Sequence, residues 1–440
     1  MTRVKALSSK TFRSLRIRNY RLFFFGQLVS MSGTWMQSVA QAWLVLKLTG
    51  SGVALGFVTA LQFLPILLFG VWGGVIADRV DKRRALIATQ TAMAAVAAIL
   101  ATVTATGIVE LWMVYVCAIL LGTANMVDSP TRQAFVTELV GPAEVPNAVG
   151  LNSAMFNAAR VVGPALAAAL IVGVGIWPAF ALNAVSFVAV IGGLLAMRPA
   201  ELFRSAPVAA AKGQAKAGLR YVWQSETLRS TLLLVALVGT FALNFSITMP
   251  LMARYAFHKG AGTFGLLTSF MGLGSMVGAL VTAARSRPTT RLLLGAAVAF
   301  GVLMLLAAAA PTLGLELLVM PLFGAASITF MATANSTLQL NSTPEMRGRV
   351  MALYVLVFLG STPIGGPIVG WVAQTWGPRA SVALGGVACL LGAALASSSL
   401  LRKRRQRLRG RPEPVPRRLA NPPLRELRKI SRHIGGSHTY

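Results

Sequence analysis

GGVIADRVDKRR (73–84) runs directly into ALIATQTAMAAVAAILATVTAT (85–106), a stretch without a single charge. The second segment is about as long as the ~20 residues an α-helix needs to cross a bilayer, and the cationic cluster before it marks where the crossing begins. Inside lipid every backbone N–H and C=O must be satisfied internally, so an apolar run of this length reads as a helix. Charge-free stretches at Leu182–Met197 and Thr231–Leu243 belong to further runs of the same kind. Of the 440 residues 55% are hydrophobic and 12% charged, with mean hydropathy +0.67, which is more apolar surface than a soluble core can bury.

Extending the pattern sets about twelve spans, at 20–46, 53–77, 85–105, 110–134, 146–172, 177–197, 230–253, 262–285, 291–310, 313–340, 348–374 and 379–401. The net charge of +29 suggests nucleic acid only until the charges are placed. With the N-terminus inside, all 41 Lys and Arg but five fall on the cytoplasmic side; Lys47, Arg254, Lys259 and Arg379 lie outside, and Arg160 lies within a span. That asymmetry is the positive-inside rule, and an even helix count returns both termini to the cytoplasm. The basic start reads as the flank of an uncleaved first span. Cys117 and Cys389 fall inside helices as small apolar residues and imply no disulfide.

The longest hydrophilic interior segment, about 199–229, separates six spans from six. Shifting the second half back by about 202 to 209 residues superimposes GFVT (56–59) on GLLT (265–268), Glu110 on Glu316, and Gly163-Pro164 on Gly366-Pro367. The expected fold is therefore an all-α polytopic membrane protein with two pseudo-symmetric six-helix bundles, as parallel repeats around a central alternating-access cavity require. The expected organisation is a cytoplasmic arm (1–19), a first bundle (20–198), a linker with an amphipathic helix near Gly218–Arg229 (199–229), a second bundle (230–401) and a basic tail (402–440). The tail is Arg-rich, carries Pro412, Pro414, Pro416, Pro422 and Pro423, and reads as largely disordered. Anionic inner-leaflet lipid is its expected partner, without nucleic acid.

The loop at Gly73–Arg84 resembles the conserved loop between helices 2 and 3 of the major facilitator superfamily. In that family the loop latches the inward side, and the resemblance carries this gating role to Asp78 and Arg79, with Gly74 and Arg83 in the same loop. Physically, Gly73 and Gly74 permit close helix approach and Asp78 can accept hydrogen bonds from a helix N-terminus, while the cations can equally be topological anchors. The fifth span is similar to that family's exporter-associated helix-5 motif, with Gly150, Ala159, Gly163-Pro164 and Ala167-Ala168. DSPTRQAFVTELV from Asp128, NAVGLNSAMFNAARVVGPALA from Asn147 and FALNAVSF from Phe180 together resemble the enterobactin-exporter and drug-efflux branch. Export of a siderophore, antibiotic or other small amphiphile across a prokaryotic cell membrane is what the resemblance implies. RSRPTTR (285–291) lacks the acidic residue of the first-half loop, and Ala118 stands where the family's helix-4 arginine would be.

Arg160 sits mid-span, where an ionised side chain costs at least ~2.5 kcal/mol and must face a wet cavity or a partner. Ser153, Asn157, Arg160 and Pro164 share one helical face, forming a polar, bent stripe. Arg160 can bind an anionic or carbonyl-rich substrate, or neutralise a carboxylate. Asp128 is the candidate for that carboxylate and for the proton-coupling site, but Asp128 and Arg132 also form an i,i+4 pair of their own. Gln37, Gln41 and Asn244 supply neutral polar groups that can line a pathway or bond neighbouring helices.

No GxxxxGK[ST] loop, HExxH pair or GxSxG elbow occurs, so neither an ATP-driven pump nor an enzyme is expected, and neither metal nor cofactor. The expected function is a monomeric secondary transporter that exchanges a small molecule against the proton gradient. Uptake, or a receptor or scaffold with the same fold, is the alternative reading.

Overall fold

The computed structural model describes residues 12–203, 214–284 and 289–409, apart from the side chains of Val71, Asp78, 214–217 and 399–409. The chain divides into two compact units, Met1–Ala396 and Ser397–Tyr440, and the membrane bundle is the first. Among the described residues there is no strand. The membrane helices are α1 (Arg18–Thr49), α2 (Gly52–Arg79), α3 (Lys82–Ala105), α4 (Leu111–Val140), α5 (Val145–Gly173) and α6 (Trp177–Leu195). They continue with α7 (Glu226–Ala256), α8 (Ala261–Ala284), α9 (Thr290–Ala309), α10 (Leu313–Leu340), α11 (Pro344–Trp376) and α12 (Pro378–Arg409).

Eleven of these are long and apolar enough to span a bilayer by composition; α1 is not. At 32 residues α1 has the length, and its polarity is turned inward. Gln27, Ser30, Gln37 and Gln41 are buried, whereas Phe25 and Val29 are exposed. Lipid inverts the usual amphipathic pattern, because polar groups gain partners only inside the bundle.

Two spans are interrupted. α7 is helical over Glu226–Phe241 and Phe245–Leu251, then takes a π turn at Met252–Ala256; α11 is divided at Ser361 into Pro344–Gly360 and Thr362–Trp376. Several spans exceed the sequence limits. α4 reaches Val140 rather than 134, and α11 begins at Pro344 rather than 348. α12 runs to Arg409 instead of ending at 401, because LLRKRRQRLR contains strong helix formers and no proline, so residues 402–409 of the expected disordered tail are helical. The remainder of the tail, 410–440, and most of the arm 1–19 lie outside the described residues. The linker helix occupies Gln214–Gln224, and Ser225 caps α7 by accepting from the Leu228 N–H, so Glu226–Arg229 belong to the span and not to the linker.

The helix pairings repeat. α2 packs on α4, α3 on α4 and α1 on α5; six helices on, α8 packs on α10, α9 on α10 and α7 on α11. Between the halves, α2 packs against α11 and α5 against α8, two contacts that exchange under the same shift. They are made by the repeat's own glycines. A Cβ on Gly56 would stand 2.4 Å from the Gly366 carbonyl oxygen, and one on Gly265 would stand 2.9 Å from that of Pro164 and 2.3 Å from the Ala168 side chain. One turn away, a Cβ on Gly52 or Gly370 would strike the other's carbonyl at 2.6 and 2.2 Å. These backbones touch because no side chain intervenes.

All these contacts lie toward the end of the bundle that carries few basic residues. There the Arg254 Nη1 donates to the Leu46 carbonyl at 2.5 Å, the Tyr255 hydroxyl to the Gly50 carbonyl at 2.6 Å, and the Ser51 hydroxyl to Gln374 Oε1 at 2.7 Å. Toward the basic end the exposed face of α5 includes Val149, Ser153 and Phe156.

Within the second half, α8 and α10 pack as tightly. A Cβ on Gly274 would sit 1.8 Å from the Pro321 carbonyl, whereas one on Gly295 meets nothing within 4 Å. Gly274→Ala should therefore lower stability by about 1–3 kcal/mol, and Gly295→Ala should leave it unchanged or slightly raised, as read by thermal unfolding in detergent.

Candidate functional site

Asp128 is buried where α3 and α4 pack, and three groups fix it. The Thr89 hydroxyl donates to Oδ1 at 2.9 Å, Gln90 Nε2 donates to the same oxygen at 2.8 Å, and Arg132 Nε lies 3.5 Å from Oδ2. Of the two partners open to Asp128, the structure pairs it with Arg132, one turn along the same helix, and not with Arg160. Charge-assisted hydrogen bonds from two neutral donors make the buried carboxylate tolerable.

Arg160 is buried in α5, with its Nε lacking a hydrogen-bond partner. Its guanidinium lies over the Trp35 ring of α1 at 5.7 Å, and that ring meets Phe156 edge to face at 5.8 Å. Cation–π contact is worth about 0.5–2 kcal/mol, more when desolvated, and lets a buried arginine persist without a carboxylate. The stack depends on close approach of α5 to α1: a Cβ on Gly163 would lie 2.5 Å from that of Trp35. Pro164, the next residue, meets α8 through its carbonyl beside Gly265.

Beside this stack lies a cavity of about 530 Å³ in the basic-end part of the first half. α1 lines it with Phe23 and Met31, α4 with Ser129, Arg132, Gln133 and Val136, and α5 with residues from Val149 to Asn157. Ser153 is exposed and Asn157 half-buried, and both donate only to carbonyls of their own helix, at Val149 (3.0 Å) and Ser153 (2.8 Å). Asn152 Oδ1 is buried without a partner. A walled space with apolar sides and a few unsatisfied polar groups suits a small amphiphile.

The neutral candidates divide. Gln37 accepts from Asn183 Nδ2 of α6 at 2.6 Å, and Gln41 is buried on the same helix, so Gln37 serves helix packing. Asn244 stands at the break in α7, where Nδ2 donates to the Thr240 carbonyl at 2.7 Å and Oδ1 has no partner. The expected loop at 73–84 is helical apart from Val80 and Asp81: Gly73 to Arg79 are the last turns of α2, where close approach is made by Gly73, whose Cβ would sit 2.4 Å from the Met126 carbonyl, and a Cβ on Gly74 meets nothing within 4 Å. The side chain of Asp78 lies outside the described residues, and Arg79 is exposed. Arg83 donates to the Leu194 and Leu195 carbonyls at 2.7 and 3.2 Å, closing the C-terminus of α6. Lys82 pairs with Glu138 of α4 at 2.7 Å, and Asp81 caps α3. These described contacts tie helices of the first half to one another.

Trp35, Thr89, Gln90, Phe156 and Glu138 carry the site but escape the sequence reading. Gln90, a polar residue in an otherwise apolar span, is the legible signal among them. The aromatics are not, since a membrane helix is full of them.

The model of the transmembrane secretion effector family matches residues 9–424. The chain is 26% identical over 268 residues to the Staphyloferrin A transporter of Staphylococcus aureus, covering 59% of this chain and 66% of that protein. It is 26% identical over 372 residues to the Multidrug efflux pump Tap of Mycobacterium tuberculosis, covering 82% and 88%. Among solved structures, the nucleoside transporter NupG superimposes with a TM-score of 0.67 at 13% identity, over 88% of this chain and 99% of that one, which is a likeness of fold.

Asp128→Asn keeps an acceptor for Thr89 and Gln90, whereas Asp128→Ala strands Gln90 and Arg132 and leaves Thr89 only the Leu86 carbonyl at 3.1 Å. The alanine variant should cost about 3–5 kcal/mol and the asparagine variant about 1 kcal/mol, compared by thermal unfolding.

Proposed function

We propose that this chain, which belongs to the transmembrane secretion effector family and is a major facilitator transporter with efflux relatives, exports a small amphiphile by alternating access. One observation carries the reading. The halves are joined glycine to glycine at the basic-poor end, while the cavity beside Arg132 and Asn157 lies toward the basic end. With the basic end cytoplasmic, as the positive-inside rule requires, this is a state closed to the outside that can load from within. Rocking one half against the other about the α2/α11 and α5/α8 contacts then moves the opening to the far side.

Arg160 tunes what enters. Stacked on Trp35, which meets Phe156 of the cavity wall, and with no carboxylate partner among the described residues, it favours an anionic or carbonyl-rich group in the adjoining cavity. Asp128 is the coupling candidate on this side, as a buried acidic side chain whose contacts to Thr89, Gln90 and Arg132 bridge α3 and α4.

The test is accumulation in inside-out vesicles of a macrolide, a carboxylate siderophore and an anionic dye, with and without an imposed pH gradient. Gradient-driven uptake into these vesicles of at least one compound, reduced tenfold or more by Arg160→Ala, is the expected result. Transport into right-side-out vesicles alone would mean uptake, no transport of any compound would favour a receptor or scaffold, and gradient-independent accumulation would remove Asp128 as proton carrier.

A further inference from the structure

At the basic-poor end of the second half one carboxyl is buried without a partner. Glu316, near the start of α10, is 0% exposed, and neither of its oxygens has a hydrogen-bond partner. Its repeat counterpart, Glu110, is exposed and accepts from Trp112 Nε1 at 2.8 Å. The sequence positions match and the environments do not.

The ionisable groups around Glu316 are few. α8 carries none over Ala261–Ala284, and the charges of α9 (Arg291), α11 (Glu345, Arg347, Arg349) and the start of α7 (Glu226, Arg229) lie at the basic end. Arg254, His258, Lys259 and Arg379 remain at this end. Arg379, in the first turn of α12, reaches the corner between α9 and α10 that leads into the first turn of α10, where Glu316 lies. Its contacts, however, bypass the carboxyl: Nη1 donates to the Ala308 carbonyl at 3.1 Å, and the guanidinium lies over the Phe257 ring at 5.7 Å. Phe257 directly follows the π turn Met252–Ala256, whose Arg254 and Tyr255 hold the Leu46 and Gly50 carbonyls of the first half. A continuous path therefore joins a buried carboxyl, a cation that can choose between partners, and the grip that closes this end.

We propose that Glu316 and Arg379 form a proton-operated latch on the closed end. While Glu316 carries a proton, Arg379 stays on Ala308 and Phe257, and the π turn holds α1. When the proton leaves to water, the carboxylate is an uncompensated buried charge and draws the guanidinium to itself. Phe257 loses its stacked cation, and the hold of Arg254 and Tyr255 on α1 loosens. The latch rests on the antiport reading for its use, since it gives the far side a proton-sensing group, but its test needs no substrate.

Spin labels at Leu48→Cys and Gly260→Cys, in full-length protein in lipid nanodiscs, report the separation across this end by pulsed dipolar spectroscopy. Leu48 is exposed, a Cβ at Gly260 meets nothing within 4 Å, and the native Cys117 and Cys389 are buried. Raising the pH should shift the population from the short to the long separation, by up to about tenfold per pH unit for one proton. Glu316→Gln should hold the short separation at every pH, Glu316→Asp should restore the response, Arg379→Gln should abolish it from the other partner, and His258→Gln should leave it intact. A wild-type separation indifferent to pH, a Glu316→Gln variant that responds as wild type does, or a response lost with His258→Gln would overturn the latch. An intact pH response beside gradient-independent transport would instead remove the antiport reading and keep the latch.

Discussion

The bundle depends on backbone touching backbone across its two halves. Gly56 against Gly366, Gly52 against Gly370 and Gly265 against Pro164 leave no room for a Cβ. In lipid no hydrophobic drive favours one helix neighbour over a tail chain, so close packing of small residues has to supply the attraction. Such a contact is also reversible. It buries no charge and interlocks no long side chains, so the halves can part without leaving a costly group exposed to lipid.

The same solvent dictates where polarity goes. α1 turns its glutamines and serines inward, Asp128 collects donors from α3, and Arg160 takes an aromatic face where a carboxylate was the alternative. Each solves the same problem, a group too polar for lipid and too deep for water. The cavity beside Arg132 leaves Arg132 Nε and Asn152 Oδ1 without hydrogen-bond partners, and a ligand gains most from groups that the protein has not already paired.

Much of this is written plainly in the chain. Eleven spans follow from apolar run length, with α1 set apart by its inward polarity, and the repeat that aligns Gly56 with Gly265 and Gly163-Pro164 with Gly366-Pro367 names the residues that meet between the halves. Helix ends are less legible. A helix can continue past its apolar run, as α4 and α12 do. Pairing between distant helices is hidden altogether: hydropathy says that Asp128 needs partners but not that Thr89 and Gln90 supply them, nor that Glu316 is buried while its sequence twin Glu110 is exposed. Those outcomes are set by rotation and depth of whole helices, which no local pattern records.

The cavity lies toward the basic side, which we propose is cytoplasmic, while glycine contacts close the other. Ser153, exposed on the cavity face of α5, offers the direct probe. In a Ser153→Cys variant treated with a membrane-impermeant maleimide, inside-out vesicles should label readily and right-side-out vesicles should label at least tenfold more slowly. Equal labelling from both sides, or faster labelling from outside, would contradict the account.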